Sequence, residues 1–408
     1  MRFAHSRDPI ANLARKFLTT IYAAIPMTLT LKIITSEGQI GSIRSGWSEL
    51  ASTPMQSPEW QMGWWLAYKS SNTQLQILAA LDQSEKVVGI APLYRSESWR
   101  DGQTLEFLAA KHACSDYQTI LCDENRKAET LELFGDWLAD SAARGEWGTI
   151  ELDGISEHDK TIGKLCNRLH KHDVLLRSKQ LDKSWVIDLS QGWRQCIANM
   201  TRTQRRQSRN LINRFDKSDK MRITEHTDAH DVPIALRELI ELHQKRWTQS
   251  GQSGCFSDPR FSSFLLAAAQ ALALRQSSMV RTLRIDDRPV ASHLLLRDND
   301  RYYMYQAGRD PDFASQKVGT TLNLATMRCL AERGAQFMDC LRGNEIYKSR
   351  LAGQPVSLYQ LRLVAPAVSH RVRDASSHVG RNVKRTAKIL AAGTGSGVRN
   401  VANIVSPK

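Results

Sequence analysis

The sequence lacks the cysteine pairs that would indicate a metal site or a disulfide framework. Its seven cysteines are odd in number, scattered over 408 residues and never spaced as CxxC. This pattern is typical of a protein from a reducing compartment, so we expect a cytoplasmic protein that binds no metal. The sequence also lacks an apolar run of the roughly 18 residues that a membrane-spanning helix needs.

Acidic residues are scarce at both ends of the chain. Residues 1–44 hold six Lys/Arg and two acids, and residues 366–408 hold eight Lys/Arg and one acid. Of the total charge of +14, the ends therefore carry +4 and +7, which leaves +3 for the body. We expect residues 366–408 to form a basic flexible tail that can contact the anionic inner face of a membrane. Nucleic acid is not the expected partner of the body.

The first 26 residues are predicted to be an N-terminal extension. Met27 opens MTLTLKIIT, which is typical of a first strand, so the natural start is predicted at Met27. A cleaved signal peptide is the less favoured alternative, because the apolar run FLTTIYAAI is short, is broken by threonines and lacks a clean cleavage site.

One α/β unit occurs twice in the sequence. LQILAALDQSEKVVGIAPLYR and MVRTLRIDDRPVASHLLLR each predict two strands around an acidic turn. In the first copy strands follow at 104–110 and 117–122, then a helix at 129–145; in the second a tyrosine-rich strand precedes a helix at 320–333. The sequence predicts an N-terminal half over 27–175 and a C-terminal half over 176–365. Chance similarity of two α/β units is the alternative.

Between the copies the sequence predicts a strand at 184–189, a basic helical stretch at 192–215 and a helix from Asp231. Arginines at 202, 205, 206 and 209 recur at helical spacing and would form one basic face. A solvated surface is the simplest interpretation. A face that binds an acidic or phosphorylated substrate, or nucleic acid, is the other.

In the second copy, the segment SQKVGTT places a glycine at the point where the tyrosine-rich strand is followed by a helix. A helix N-terminus offers unpaired N–H groups and a favourable dipole to an anion, and glycine allows a phosphate to approach. Structural capping is the alternative. The equivalent helix of the first copy has Asp123 and Glu124 near its start, which would repel a phosphate. We therefore predict a pyrophosphate site in the second copy only, formed by residues Gln316, Val318, Gly319, Thr320 and Thr321.

This pattern resembles the acyl-CoA pyrophosphate motif of GNAT acetyltransferases. The surrounding blocks resemble the BioF-like acetyltransferase domain of CelD-like proteins, which are linked to polysaccharide production. These blocks are RW (246–247), YYMYQAGRDP (302–311), VG (318–319), FMD (337–339) and RGNEIYKSR (342–350), with PEWQMGWW, GIAPLY and SDY in the N-terminal half. The resemblance covers about residues 40–362, and extends in fold to the Fem-type aminoacyl transferases, which have two GNAT-like halves.

The resemblance implies an α/β fold of two tandem GNAT-like halves, with mixed sheets flanked by helices and a cleft between the halves. It implies acetyl-CoA or another acyl-CoA as co-substrate, and an amine or hydroxyl acceptor such as a glycan precursor in exopolysaccharide or cellulose biosynthesis. Two alternatives stay open. One is a Fem-type transferase that uses aminoacyl-tRNA, and the other is a non-catalytic scaffold that partners a polysaccharide synthase.

Acyl transfer needs a base, an acid and a group that meets the oxyanion. The candidates for these catalytic roles are Asp116, Tyr117, Tyr305, Glu345 and Lys348. Lys348 follows a tyrosine in a stretch similar to the aromatic-Lys stretch of Fem-type enzymes, which implies a role at the oxyanion. The candidates for substrate binding are Arg246, Trp247 and Arg206. For the tyrosines and Asp116 packing is the alternative role, and His243 is expected to be structural.

Overall fold

The computed structural model describes residues 29–376. Its α-helices are α1 (Arg44–Leu50), α2 (Pro58–Tyr68), α3 (Lys127–Ala143), α4 (Lys160–His170), α5 (Gly192–Ala198), α6 (Arg202–Asp216), α7 (Asp231–Gln249), α8 (Pro259–Ala273), α9 (Val318–Glu332) and α10 (Ile346–Arg350). Short 3-10 helices lie at Glu37–Ser42, Pro54–Gln56, Cys255–Ser257 and Pro311–Gln316. A further helix at 368–376 ends the described part.

The strands form three sheets. They are β1 (Thr30–Ile34), β2 (Thr73–Leu75), β3 (Ile77–Leu81), β4 (Val87–Ala91), β5 (Leu93–Ser98), β6 (Gly102–Phe107), β7 (Leu121–Cys122), β8 (Thr149–Ser156), β9 (Leu175–Gln180), β10 (Ser184–Asp188), β11 (Met221–His226), β12 (Ser278–Ile285), β13 (Arg288–Asp298), β14 (Arg301–Arg309), β15 (Phe337–Asp339), β16 (Gln354–Val356) and β17 (Leu358–Val364). Their orders are β1-β3-β4-β7, β2-β5-β6-β8-β17-β9 and β11-β12-β13-β14-β15-β10-β16.

The same unit is built twice, as the sequence predicts. In the C-terminal half β12, β13 and β14 are antiparallel neighbours, α9 follows, and β15 lies parallel to β14. In the N-terminal half β5 and β6 are antiparallel, α3 follows, and β8 lies parallel to β6. The mixed α/β class with helices flanking the sheets is thereby confirmed.

One strand crosses between the halves. β17, which follows all strands of the C-terminal sheet, pairs with β8 and β9 in the N-terminal sheet. The predicted boundary between residues 175 and 176 falls within β9, which belongs to the N-terminal sheet. The boundary therefore divides the chain into two halves but does not divide the sheets.

Two predicted elements differ from the structure. The strand predicted at 117–122 is only Leu121–Cys122, because Tyr117 adopts a left-handed conformation (φ 61°) that no strand contains. The helical stretch predicted at 192–215 is broken into α5 and α6. The break falls at Thr201, whose side chain forms a capping box with Gln204 and so starts a new helix.

The two halves share one hydrophobic core. α2 of the N-terminal half packs on α8 of the C-terminal half. Trp60 of α2 is fully buried, with ring centroids 4.8 Å from Phe264 and 4.7 Å from Tyr305, both at edge-to-face angles. The tryptophan-rich segment PEWQMGWW is therefore an interface between the halves, and it fixes the cleft that lies beside it.

The predicted tail begins with an ordered segment. Asp374 of the helix 368–376 is buried and pairs with Arg362 Nε at 2.7 Å and Arg177 Nε at 2.9 Å. Residues 368–376, at the start of the predicted flexible tail, therefore form a helix held by these ion pairs. The extension 1–26, the start at Met27 and the tail beyond residue 376 lie outside the described residues. Among residues 29–376, no helix is both long and apolar enough to cross a membrane.

The membrane contact is best tested by removing residues 377–408, which hold six Lys/Arg and no acid, while keeping Asp374. Each basic residue near an anionic surface contributes about 1 kcal/mol. We expect the shortened protein to sediment less with anionic liposomes at low salt, and to melt at the temperature of the full chain. Equal sedimentation of the two forms would contradict the prediction, and neutral liposomes provide the control.

Candidate functional site

A cavity of about 830 Å³ lies between the halves. The C-terminal half contributes the end of β14, the start of α9, the end of α7 and the segment 340–348, and the N-terminal half contributes Ala113, Cys114 and Asp116. The site is therefore complete only when both halves are present.

The divergence of β14 from β15 opens this cavity. The two strands pair only over Arg301–Tyr303, and the pairing of β14 with β13 is irregular at Tyr305, which is left without a partner in β13. Residues 304–309 continue along the cavity wall with no β15 partner. Backbone groups along this stretch of β14 are thus available to an extended ligand.

The N-terminus of α9 faces the cavity. Val318, Gly319 and Thr320 line it, and no side chain caps the helix, whose N-cap residue Lys317 is left-handed (φ 56°). Unsatisfied N–H groups at a helix start attract an anion. Of the five residues predicted for a pyrophosphate, the structure thus brings these three to the cavity wall.

The other two residues predicted for the pyrophosphate lie elsewhere. Thr321 is buried beneath the first turn of α9 with its hydroxyl unpartnered, and does not line the cavity. Gln316 ends the preceding 3-10 helix, and its carbonyl accepts a hydrogen bond from Arg214.

Two arginines add positive charge to this end of the cavity. Arg246 and Arg309 both line it, and among the described residues neither lies within 4 Å of a carboxylate. Burial and the neighbouring Arg246 charge lower the pKa of Arg309. Like charges brought together without a counter-ion indicate a site for an anion. The guanidinium of Arg246 also lies 5.4 Å from the ring centroid of Trp247, which lines the cavity too.

Lys348 lines the cavity with all three of its N–H donors engaged. Nζ donates to the carbonyls of Leu341 at 3.1 Å and Arg342 at 2.8 Å, and lies 3.0 Å from Oε2 of Glu345. Lys348 is buried, whereas Glu345 is half-exposed at the N-cap of α10. The structure gives Lys348 an anchoring role in the turn 341–343 and leaves Glu345 the more accessible carboxylate.

Asp116 is fully buried and held by one arginine. The backbone N–H of Arg342 donates to Asp116 Oδ2 at 2.7 Å, and Arg342 Nε donates to Oδ1. Burial raises the pKa of Asp116 to about 6, although Arg342 acts in the opposite direction. Arg342 also lies 2.8 Å from Asp153. Asp116 lines the cavity, but its oxygens join the two halves.

The two candidate tyrosines have structural partners. The Tyr305 hydroxyl donates to the carbonyl of Ala113 at 2.7 Å, across the halves, and burial raises its pKa well above the usual value. The Tyr117 hydroxyl donates to Asp339 Oδ2 at 2.6 Å, and the residue lines a separate, smaller pocket. The structure thus brings Tyr305 to the cavity and leaves Tyr117 outside it.

Arg206 is also outside the cavity, on the exposed face of α6. Sequence reasoning missed Arg309 and Arg342, although both lie in the family-like blocks YYMYQAGRDP and RGNEIYKSR. It also missed the buried His293 and its neighbour Asn323, which line the cavity, as well as Cys114 and Cys255. Among residues 29–376, no cluster of His, Cys, Asp and Glu is arranged to hold a metal ion.

One prediction from this site concerns the anchoring role of Lys348. The change Lys348→Met leaves two carbonyls unsatisfied in a buried position, and each such group costs about 1–3 kcal/mol. We expect the free energy of unfolding to fall by about 2 kcal/mol or more, measured by urea denaturation. The exposed Lys164→Met is the matched control, and equal stability of the two variants would refute the role.

Another prediction concerns His243, which is buried and accepts a hydrogen bond from Trp247 Nε1 at 2.9 Å. Burial lowers its pKa from 6.5 to about 4. Between these values the unfolded chain binds a proton that the folded chain does not, so the contribution of His243 to stability is lost as pH falls from about 6.5 to about 4.

The variant His243→Gln keeps an acceptor for Trp247 and cannot titrate. We expect its free energy of unfolding, measured by urea titration at pH 7 and 5, to fall less than that of the wild type. His158→Gln, at an exposed position, should retain the full wild-type loss. A His243→Gln variant with the same pH dependence as the wild type would contradict the prediction.

The chain is similar to known proteins in both sequence and fold. Residues 202–349 match the family model described as the acetyltransferase (GNAT) domain. A crystal structure of FemX superposes with a TM-score of 0.54 at 10% identity, over 81% of this chain and 96% of that one. The structure of L-PGS from Bacillus licheniformis superposes with a TM-score of 0.50 at 10% identity, over 86% and 99%.

No curated protein matches the chain. At such low identities the two superpositions show a shared fold and nothing finer. Residues 202–349, which include β11–β15 and most of α6–α10, are therefore similar to a GNAT acetyltransferase domain, and the cavity at the start of α9 lies within this region.

Proposed function

We propose that this protein transfers an acyl group, acetyl in the first instance, from acyl-CoA to an amine or hydroxyl acceptor. One observation carries the proposal: the uncapped N-terminus of α9 opens into a cavity beside Arg246 and Arg309, which have no carboxylate partner among the described residues. The pyrophosphate of CoA would supply the negative charge that balances the helix N-terminus and the two arginines.

The walls of the cavity also suit the rest of the donor. The pantetheine arm is an extended chain with two amides, and residues 304–309 of β14 run along the cavity without a β15 partner. Backbone hydrogen bonds from a free strand can hold such a chain. A donor bound by its phosphates at α9 and by its arm along β14 would extend its thioester into the cavity.

The chemistry then needs an acceptor freed of its proton. In the proposed reaction the acceptor nitrogen or oxygen attacks the thioester carbonyl, the new C–N or C–O bond forms, and the C–S bond breaks. Glu345 is the candidate base, because its carboxylate is half-exposed in the cavity while that of Asp116 is buried against Arg342. The proton passes to solvent or to the departing thiolate.

Lys348 stays a candidate for the oxyanion. Its ammonium is already bonded to two carbonyls and to Glu345, so it would have to give up one of these bonds to meet the charge. Removing a group that meets an oxyanion typically costs about 3 kcal/mol in the transition state. The stability of Lys348→Met must therefore be known before its rate is interpreted.

The acceptor and pathway rest on weaker support. The similarity of blocks such as RGNEIYKSR to the BioF-like domain of CelD-like proteins favours a glycan precursor and a role in polysaccharide biosynthesis. A Fem-type transferase that uses aminoacyl-tRNA is the alternative, because the exposed arginines of α6 would also suit the phosphates of tRNA. A non-catalytic scaffold for a polysaccharide synthase is the third candidate. A rise in melting temperature with acetyl-CoA, with charged tRNA or with neither separates the three.

The donor site is tested by Gly319→Glu. A Cβ at this position meets only the flexible Arg309 side chain, at 3.4 Å, and a carboxylate in the first turn favours a helix, so the fold should be kept. The same carboxylate would occupy the place of the phosphate. We expect calorimetry to show at least a tenfold loss of affinity for acetyl-CoA.

Gly163→Glu is the matched control, because Gly163 is an exposed glycine in the first turn of α4, far from the cavity lining, and a Cβ at this position would meet nothing within 4 Å. Its affinity for acetyl-CoA should equal that of the wild type. A folded Gly319→Glu variant that binds acetyl-CoA normally would refute the donor site.

A further inference from the structure

Helix α6 presents a row of charges that the donor site does not use. Arg202, Arg206 and Arg209 lie on one face at spacings of four and three residues, and all three are exposed. Among the described residues, no carboxylate lies within 4 Å of any of them, whereas Arg328 pairs with Asp216 at the end of the same helix at 2.8 Å. This row is the α6 basic face.

The helix that carries the α6 basic face contacts both α9 and the segment just before it. α6 packs on α9, and two hydrogen bonds of 2.8 Å from Arg328 to the carboxylate of Asp216 join these helices. Arg214 donates to the carbonyl of Gln316, two residues before α9 begins. Arg206 lies eight residues from Arg214, or about 12 Å along the helix axis. A partner seated on this face therefore lies about 12 Å, along the helix axis, from the residue that contacts the segment before α9.

We propose that the α6 basic face docks an acidic acyl carrier protein, which delivers the acyl group on its phosphopantetheine arm. The inference rests on the proposed function, because the arm of such a carrier ends in the same pantetheine thioester as acyl-CoA. The transfer is balanced in the same way: the carrier's C–S bond breaks, the acceptor bond forms, and the carrier's thiol is released with the acceptor's proton.

The dimensions and composition of the α6 basic face favour a small acidic protein over a single-stranded nucleic acid. The row from Arg202 to Arg209 extends about 10 Å, which matches one acidic helix with carboxylates at the same spacing. Sites for single-stranded nucleic acid interleave aromatic side chains with basic ones, and RTQRRQSR (202–209) contains no aromatic residue. Exposed, unpaired arginines on one partner and carboxylates on the other steer association and set specificity.

The test is a charge reversal, Arg202→Glu/Arg206→Glu/Arg209→Glu, in the full chain. The probe is a fluorescently labelled acetyl-loaded acyl carrier protein, whose binding is followed by anisotropy, with acetyl-CoA binding measured by calorimetry in parallel. The matched control is Lys160→Glu/Lys164→Glu/Lys171→Glu, which makes the same change in net charge at exposed lysines in and after α4.

We expect the arginine triple variant to bind the carrier at least tenfold more weakly than wild type, and acetyl-CoA within about threefold. The lysine variant should bind both like wild type. Wild-type protein that binds acetyl-CoA but not the carrier overturns this inference alone, whereas failure to bind either donor overturns the proposed function too.

Two further outcomes would overturn the docking proposal. An equal loss of acetyl-CoA affinity in the arginine variant would show that the arginines bind the phosphates of CoA itself. Tight wild-type binding of deacylated tRNA that the arginine variant loses, without carrier binding, would assign the face to nucleic acid.

Discussion

The cavity depends on one buried ion pair between the halves. Asp116 of the N-terminal half, with no exposed surface, accepts hydrogen bonds from both the backbone and the side chain of Arg342, which also reaches Asp153 at 2.8 Å. Removing one partner from such a pair typically costs about 3–5 kcal/mol, because the other charge remains buried. The carbonyl of Arg342 accepts from Lys348, and Lys348 pairs with Glu345. The position of the half-exposed Glu345 carboxylate in the cavity thus depends on a contact between the two halves.

The same interface explains why several candidates for catalysis form hydrogen bonds that hold the two halves together. Asp116, Tyr117 and Tyr305 are candidates because their side chains can move protons, and all three donate to or accept from groups across the halves. The segment Ser115–Tyr117 separates the large cavity, lined by Asp116, from the smaller pocket, lined by Tyr117. A single short segment, bent by the left-handed conformation of Tyr117, therefore partitions the interface.

What the sequence predicts well is local. The two strand pairs, the helix after SQKVGTT and the difference between the two copies follow from periodicity and from a glycine in a helix's first turn. The partner of Arg342 is 226 residues away, and β17 pairs with a strand of the other half. Neither contact can be inferred from periodicity or spacing. Arg309, at the end of β14, escapes sequence reasoning for a related reason: its importance arises only in the fold, where burial and the nearby Arg246 of helix α7 lower its pKa.

Whether a cation has a carboxylate or carbonyl partner distinguishes the residues that hold the structure from those that can bind a ligand. Lys348 and Arg362 are buried and Arg342 is half-buried, each with carboxylates or carbonyls around it, and a ligand would have to break those contacts to reach them. Arg246 and Arg309 line the cavity with no carboxylate partner among the described residues, so an incoming anion gains their charge without displacing an acid. The same reasoning applies to the exposed α6 basic face. Unpaired cations at the start of α9 and along α6 would therefore decide what binds, while the paired cations hold the halves that make the binding site.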